Sequence, residues 1–420
     1  MSFASDYIER RTLFPPLIHE APDINTGIIT IIPSYGEENI VRLLDSLALT
    51  SRPECETEVI VVVNAPDNAS SESLENNRKT LSDIDSWKLQ NKNCWFRLFS
   101  LDIKQGAIPG WGVGLARKTG MDEAVRRFNE IARADGIIVN LDADCTVADN
   151  YFTAIYNEFS KKGGRKACSI YFEHPLEGEE FSGLTYRNIT LYELHLRYYL
   201  QALIYSGYPW VFHTVGSAMA VLANEYVLAG GMNRRQAGED FYLIQKLIPG
   251  GGYFSINTTA VYPSPRSSFR VPFGTGAAIE KLSGEDSQTW MTYNIDAFGE
   301  LKELFSKVNL LYESSENQLH ISFKDLPEGL KLFLKEEEWS DKITEIRNNT
   351  SGIQSFRKRF FNWFNMFMIV RYLNTVHLQL FSKIPADEAA AGLLQILGKK
   401  CFSCSPADLL RIYRAMERDI

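Results

Sequence analysis

Gly136-Ile-Ile-Val-Asn-Leu-Asp-Ala-Asp-Cys145 is an apolar run, with Asn140 its one polar member, that stops abruptly at two aspartates, Asp142 and Asp144. Apolar residues on both faces predict a strand buried between helix layers, as in a parallel α/β sheet. Ligands of such sheets collect outside the carboxyl ends of the strands, where these carboxylates stand. Spacing i, i+2 brings two hard oxygen donors near one point, an arrangement that suits Mg²⁺ or Mn²⁺ shared with a diphosphate. Solvated loop aspartates satisfy the same spacing, so the companions of the pair decide its meaning.

Working outward, Gly27-Ile-Ile-Thr-Ile-Ile-Pro-Ser-Tyr35 and Glu58-Val-Ile-Val-Val-Val-Asn64 read as two more buried strands. Between them, Ile40, Leu43, Leu44 and Leu47 recur at helical spacing. This βαβ opening makes the two strands parallel neighbours by right-handed crossover. A polar stretch over 65–93 predicts loop plus helix. Further strands are expected at 95–101, 166–172 and 213–222, and helices at 115–134, 148–160, 186–205, 224–229 and 238–248. The pattern thus predicts an α/β fold, a mostly parallel sheet with helices on both faces. Residues 1–26 read as an irregular lead-in, 27–278 as the main domain, and 279–420 as a helical carboxyl-terminal extension.

Composition bounds the function. The 420-residue chain has 44 Lys and Arg against 52 Asp and Glu, a formal charge of −8, which gives no global attraction to nucleic acid. No window of about 18 apolar residues predicts a membrane span, and the amino terminus lacks a signal-peptide core. A cytoplasmic location is the expectation. Arg357-Lys-Arg359 flanks an aromatic run ending at Val370. Residues 353–373 therefore read either as a helix packed on the main domain or as a peripheral contact with the inner face of the membrane. The six cysteines are scattered apart from Cys401 and Cys404, which read as independent thiols.

Five segments, in order, resemble the family 2 glycosyltransferases, enzymes of GT-A fold that take a sugar from a nucleotide-diphosphate donor. They are Ile32-Pro-Ser-Tyr-Gly-Glu-Glu38, Val62-Val-Asn-Ala-Pro-Asp67, Gly112–Ala124, Asp142-Ala-Asp144 and Ala237-Gly-Glu-Asp240. The resemblance covers roughly residues 27–275. It implies that Pro33, Tyr35 and Glu37 wall the nucleoside, with Glu37 near the ribose or base, and that Asn64 faces the base. It also implies a donor contact for Arg117 and metal ligation by Asp144. Asp142 would touch the ribose, the sugar or a metal-bound water. Asp240 becomes the general base, and Glu239 orients acceptor hydroxyls. Arg266 and Arg270, before Gly274 and Gly276, would close over the diphosphate.

Departures from the family pattern are Gly36 and Lys118, where asparagine is usual, and Asn64 in place of an aspartate, which leaves the preferred base open. None of His174, His195, His213, His320 and His377 matches the position of a further metal ligand. The Gln-x-x-Arg-Trp box of processive members is absent, which implies a single transfer, and one base without a second nucleophile implies inversion. The expected cofactor is Mn²⁺ or Mg²⁺, and the expected partners are a nucleotide-diphosphate sugar and a hydroxyl-bearing acceptor. A sugar-nucleotide pyrophosphorylase shares this layout but carries Gly-x-Gly-x-Arg after the first strand, where this chain has Pro33-Ser-Tyr-Gly36. A non-catalytic nucleotide-sugar-binding module would not need Asp240.

Overall fold

The computed structural model describes residues 2–103, 112–234, 238–267, 274–282, 289–399, 401 and 404–418, without the side chains of 316, 317, 320, 321, 336 and 337. Two compact units are present. The first comprises residues up to Phe181 together with Phe212–Ala278, and the second Ser182–Val211 together with the chain from Ile279.

The first unit is built on eight strands: β1 (Thr26–Ser34), β2 (Glu56–Val63), β3 (Arg97–Asp102), β4 (Ile137–Asn140), β5 (Thr146–Val147), β6 (Ala167–Phe172), β7 (Met219–Leu222) and β8 (Tyr253–Tyr262). Their order in the sheet is β3-β2-β1-β4-β7-β6-β8-β5. Neighbours β3, β2, β1 and β4 are parallel, so their carboxyl ends meet at one edge. β7 runs antiparallel to β4 and β6, and β8 returns parallel to β6. The helices of this unit are α1 (Ser5–Arg11), α2 (Ile40–Ala48), α3 (Ser71–Gln90), α4 (Val113–Glu130) and α5 (Tyr151–Ser160). α6 (Gly183–Ser206) belongs to the second unit, and α7 (Ala223–Leu228) and α8 (Glu239–Leu247) return to the first. α4 packs on β1 and β2, α3 on β2 and β3, and α5 on β8.

The apolar runs are buried as their composition requires. Ile28, Ile29, Ile31 and Ile32 of β1 are wholly inaccessible, each contributing about 1.5–3 kcal/mol of burial. Glu58, at the start of the second apolar run, is also fully buried. Its charge is met by Arg127, Nε to Oε2 at 2.5 Å and Nη2 to Oε1 at 2.6 Å, since an unpaired carboxylate there would cost several kcal/mol.

Three local expectations change. The lead-in is not wholly irregular, because Tyr7 on α1 donates to the buried Asp122 of α4 at 2.7 Å. The strand expected over 213–222 contracts to β7, and 211–215 runs as half-buried irregular chain. β8 was not expected, because Ser255, Asn257, Thr258 and Thr259 break its apolar pattern; its sheet partners, not its composition, make it a strand.

In the second unit α6 is capped by the Ser182 side chain, which accepts from the Thr185 amide, and ends at left-handed Gly207. It packs against helices Ile295–Ser306, Ala386–Ile396 and Pro406–Arg418. Within that contact Arg197 donates to Glu193 at 2.8 Å and to Glu417, and Arg414 chelates Glu193 at 2.8 and 2.7 Å. The aromatic residues Phe356, Phe360, Phe361 and Phe364 are buried, whereas Lys358 and Arg359 are exposed. Cys401 and Cys404, expected as independent thiols, are joined as a disulfide. Their Cα atoms lie 5.9 Å apart, within disulfide range. Among the described residues no helix is long and apolar enough to cross a membrane.

Candidate active site

The carboxyl edge of β1, β2 and β4 gathers two linked clusters of charge. β4 ends at Asn140, and the chain turns out of the sheet there, the Cys145 amide donating to the Asp142 carbonyl at 3.1 Å. This turn leaves the carboxylates of Asp142 and Asp144 partly exposed, with Ala143 and Cys145 buried between and after them.

The first cluster centres on Arg117, near the start of α4. Its guanidinium is 4% exposed, donates Nη2 to Asp142 Oδ1 at 2.6 Å, and gives Nη1 to Glu239 Oε1. Burial alone would make Arg117 a weaker base, but Asp142, Glu239 and Asp240 more than offset it and keep it protonated. Asp142 and Glu239, far apart in sequence, are thereby held across the span of one side chain.

Glu239 and Asp240 open α8. Glu239 is buried, and Asp240 is half-buried beside it. Burial raises both carboxyl groups above the ordinary range, and the charge of Arg117 opposes the rise in each. Asp240 Oδ1 accepts from the Phe241 amide at 2.7 Å, which fixes the rotamer. Oδ2 faces Gly216. A Cβ at Gly216 would lie 2.3 Å from Arg117 Nη1 and 2.7 Å from Asp240 Oδ2, so a hydrogen is the only side chain that fits. Gly216→Ala is expected to force Arg117 and Asp240 apart while the fold stays intact; a crystal structure of the variant checks this, and an unmoved Arg117–Asp240 pair would contradict it.

The second cluster centres on Arg266, in the segment after β8. Its Nη1 donates to Glu37 Oε1 at 3.1 Å, Nη2 to Glu37 Oε2, and Nε to Asp144 Oδ2 at 3.2 Å. Glu37 is 3% exposed, and Oε1 also accepts the amides of Glu38 and Asn39 at 3.1 and 3.3 Å. Arg266 thus bridges the acid after β1 and the acid after β4.

The remaining expected residues lie around these clusters. Pro33 is buried in β1 opposite Val62, and Tyr35 is half-buried just beyond it. Asn64 is buried at the end of β2, its amide continuing the ladder to the Ser34 carbonyl at 3.0 Å. Arg270 lies outside the described residues. Lys118 is turned away from the edge, to Asp122 at 2.8 Å. Asn77, Thr80 and Gly216 were not anticipated. Asn77 and Thr80 carry a signal, since with Ile84 and Trp87 they form the buried stripe of the otherwise polar α3; Gly216 carries none.

Among the described residues no three His, Cys, Asp or Glu side chains form a complete protein cage for a metal. The partly exposed Asp142 and Asp144 nonetheless fit Mg²⁺ or Mn²⁺, which are commonly held by one or two carboxylates with water and substrate phosphates completing the shell.

No family model and no curated protein matches the chain. Solved structures resemble it at a low level. The 1–349 piece of TarS from S. aureus, in complex with UDP-GlcNAc, is 13% identical with a TM-score of 0.39, over 79% of this chain and 89% of that one. The mannosyltransferase PcManGT from Pyrobaculum calidifontis, in complex with GDP-Man and Mn²⁺, is 13% identical with a TM-score of 0.33, over 99% and 92%. Likenesses this slight speak neither to substrate nor to mechanism.

Proposed function

We propose that the protein is a glycosyltransferase of the family 2 type, moving one sugar from a nucleoside-diphosphate donor to an acceptor hydroxyl with inversion and with the help of Mn²⁺ or Mg²⁺. The observation that carries this reading is the guanidinium of Arg117, which couples Asp142, on the donor side, to the Glu239-Asp240 pair. A transferase needs this juxtaposition, since the acceptor oxygen must approach the anomeric carbon while the diphosphate leaves.

In the reaction the acceptor O–H loses its proton to Asp240 Oδ2 as the oxygen bonds to the anomeric carbon, and the bond from that carbon to the diphosphate oxygen breaks. A base in hydrogen-bond reach of that proton is required, and the hydrogen side chain of Gly216 leaves the space. Glu239, clamped by Arg117, can orient acceptor hydroxyls. The oxocarbenium-like transition state and the leaving diphosphate both separate charge. Asp144 and Asp142 would hold the divalent cation, which when bound supplies positive charge to the diphosphate. Arg266 supplies more once it releases Glu37 for the nucleoside, and Arg270 is assigned to the same anion. A single in-line displacement inverts the carbon, and the missing Gln-x-x-Arg-Trp box supports a single transfer. A peripheral membrane contact through 353–373 would fall to Lys358 and Arg359, because the aromatic face there is buried.

A panel of UDP, GDP and dTDP sugars, screened by thermal unfolding with and without Mn²⁺, tests the reading. One donor class is expected to stabilise the protein in a metal-dependent way, by about 2.7 kcal/mol at a hundredfold excess over Kd. Absence of metal-dependent stabilisation by every nucleotide sugar would overturn it.

A further inference from the structure

We infer that Asn77, on α3, is a positioning residue that sets the nucleoside end of the donor site without touching the donor; the inference rests on the donor reading above. The parallel ladder between β1 and β2 closes with the Asn64 amide on the Ser34 carbonyl. Beyond that rung the Asn77 carboxamide joins the two segments assigned to the nucleoside. Its Oδ1 accepts the Gly36 amide at 2.8 Å, and its Nδ2 donates to the Asn64 carbonyl at 2.8 Å. The side-chain orientation is fixed by the partners, since one can only donate and the other only accept.

Asn77 is 8% exposed, and its neighbour on the same helical stripe completes the brace. Thr80 Oγ1 donates to the Glu37 carbonyl at 3.0 Å. Gly36 meanwhile holds φ at +58°, with Ser73 of the same helix against it, so the turn that presents Glu37 is moulded on α3. Glu37 and the Asn64 side chain, the two groups expected to read ribose and base, are therefore tied to one another through this amide. No other side chain of this length offers both a donor and an acceptor in that plane.

The test is calorimetric titration of the intact chain with UDP, with GDP and with dTDP, each with Mn²⁺, for the parent and the variants Asn77→Ala, Asn77→Asp and Trp87→Phe. Trp87 lies on the same buried stripe but bonds Asp45 instead, at 2.7 Å, away from the loop. Asn77→Ala is expected to raise Kd at least tenfold, and to raise KM for the nucleotide sugar with turnover held within threefold. Asn77→Asp keeps the Gly36 bond but sets a carboxylate oxygen against the Asn64 carbonyl, so a rise at least as large is expected; it carries the test if the alanine variant does not fold. Trp87→Phe should lower the melting temperature without changing Kd. An Asn77 variant binding within threefold of the parent, or an equal loss in Trp87→Phe, overturns the positioning role. If the parent binds none of the three nucleotides, the donor reading fails and takes this inference with it.

Discussion

Asp240→Asn is expected to lower turnover by about 10²–10⁴-fold, the usual worth of a positioned general base, while donor affinity stays within threefold of the parent. The substitution is isosteric. The side-chain oxygen still accepts the Phe241 amide that fixes the rotamer, while the proton acceptor and the acceptor for the Gly216 backbone are lost. The sign of the pH dependence follows from the same environment. Burial raises the Asp240 carboxyl, with Asp142 adding to the rise and Arg117 opposing it. The base works deprotonated, so the parent rate falls as pH drops through that raised value, above the ordinary aspartate range near 3.9. That acid limb should be missing from the residual rate of the variant. Release of nucleoside diphosphate measures turnover, and calorimetry measures donor binding. Turnover within threefold of the parent would remove Asp240 from the role of base and leave Glu239 as the group to examine.

The parts of this site that the sequence makes legible are those where one local pattern implies one environment. Ile28–Ile32 and Ile137–Val139 can only be strands covered on both faces, and carboxylates after them can only sit at the binding edge of the sheet. Asp142 and Asp144 are visible for that reason, whereas Glu239 and Asp240, which open a helix, are visible only through the family resemblance. What stays hidden is set by contacts between distant segments. Gly216 is one glycine among 28 until Arg117 and Asp240 are seen pressed against it. Asn77 lies in a polar helix whose stripe of Thr80, Ile84 and Trp87 predicts burial but not the two backbone groups waiting for it. β8 was missed because strand propensity there is overridden by its neighbours. Arg117 shows a different limit: residue type predicts that a cation is needed, but not which anion it meets. Expected as a donor contact, it has both of its terminal nitrogens on Asp142 and Glu239.

Asp144→Ala is expected to abolish the metal dependence of donor binding and to cost about 10²–10³-fold in turnover, the scale of losing one charge-stabilising group in the transition state. Two effects combine. The divalent ion loses a carboxylate from a site that has few, and Arg266 loses its 3.2 Å contact, leaving its guanidinium wholly to Glu37. Since Glu37 must free its carboxylate to accept hydrogen bonds from the nucleoside, the variant should bind free nucleoside diphosphate more weakly even without metal. Asp142→Ala makes the contrast. Its carboxylate is on Arg117 at 2.6 Å, so its loss leaves Arg117 with Glu239 alone and misplaces the base pair, lowering turnover while part of the metal-dependent binding persists. Titrating Mn²⁺ by electron paramagnetic resonance, with and without nucleoside diphosphate, separates the two variants independently of turnover. Equal Mn²⁺ affinity in Asp144→Ala and the parent would show that the ion, if used at all, is held elsewhere, and the two aspartates would then be anchors for arginines.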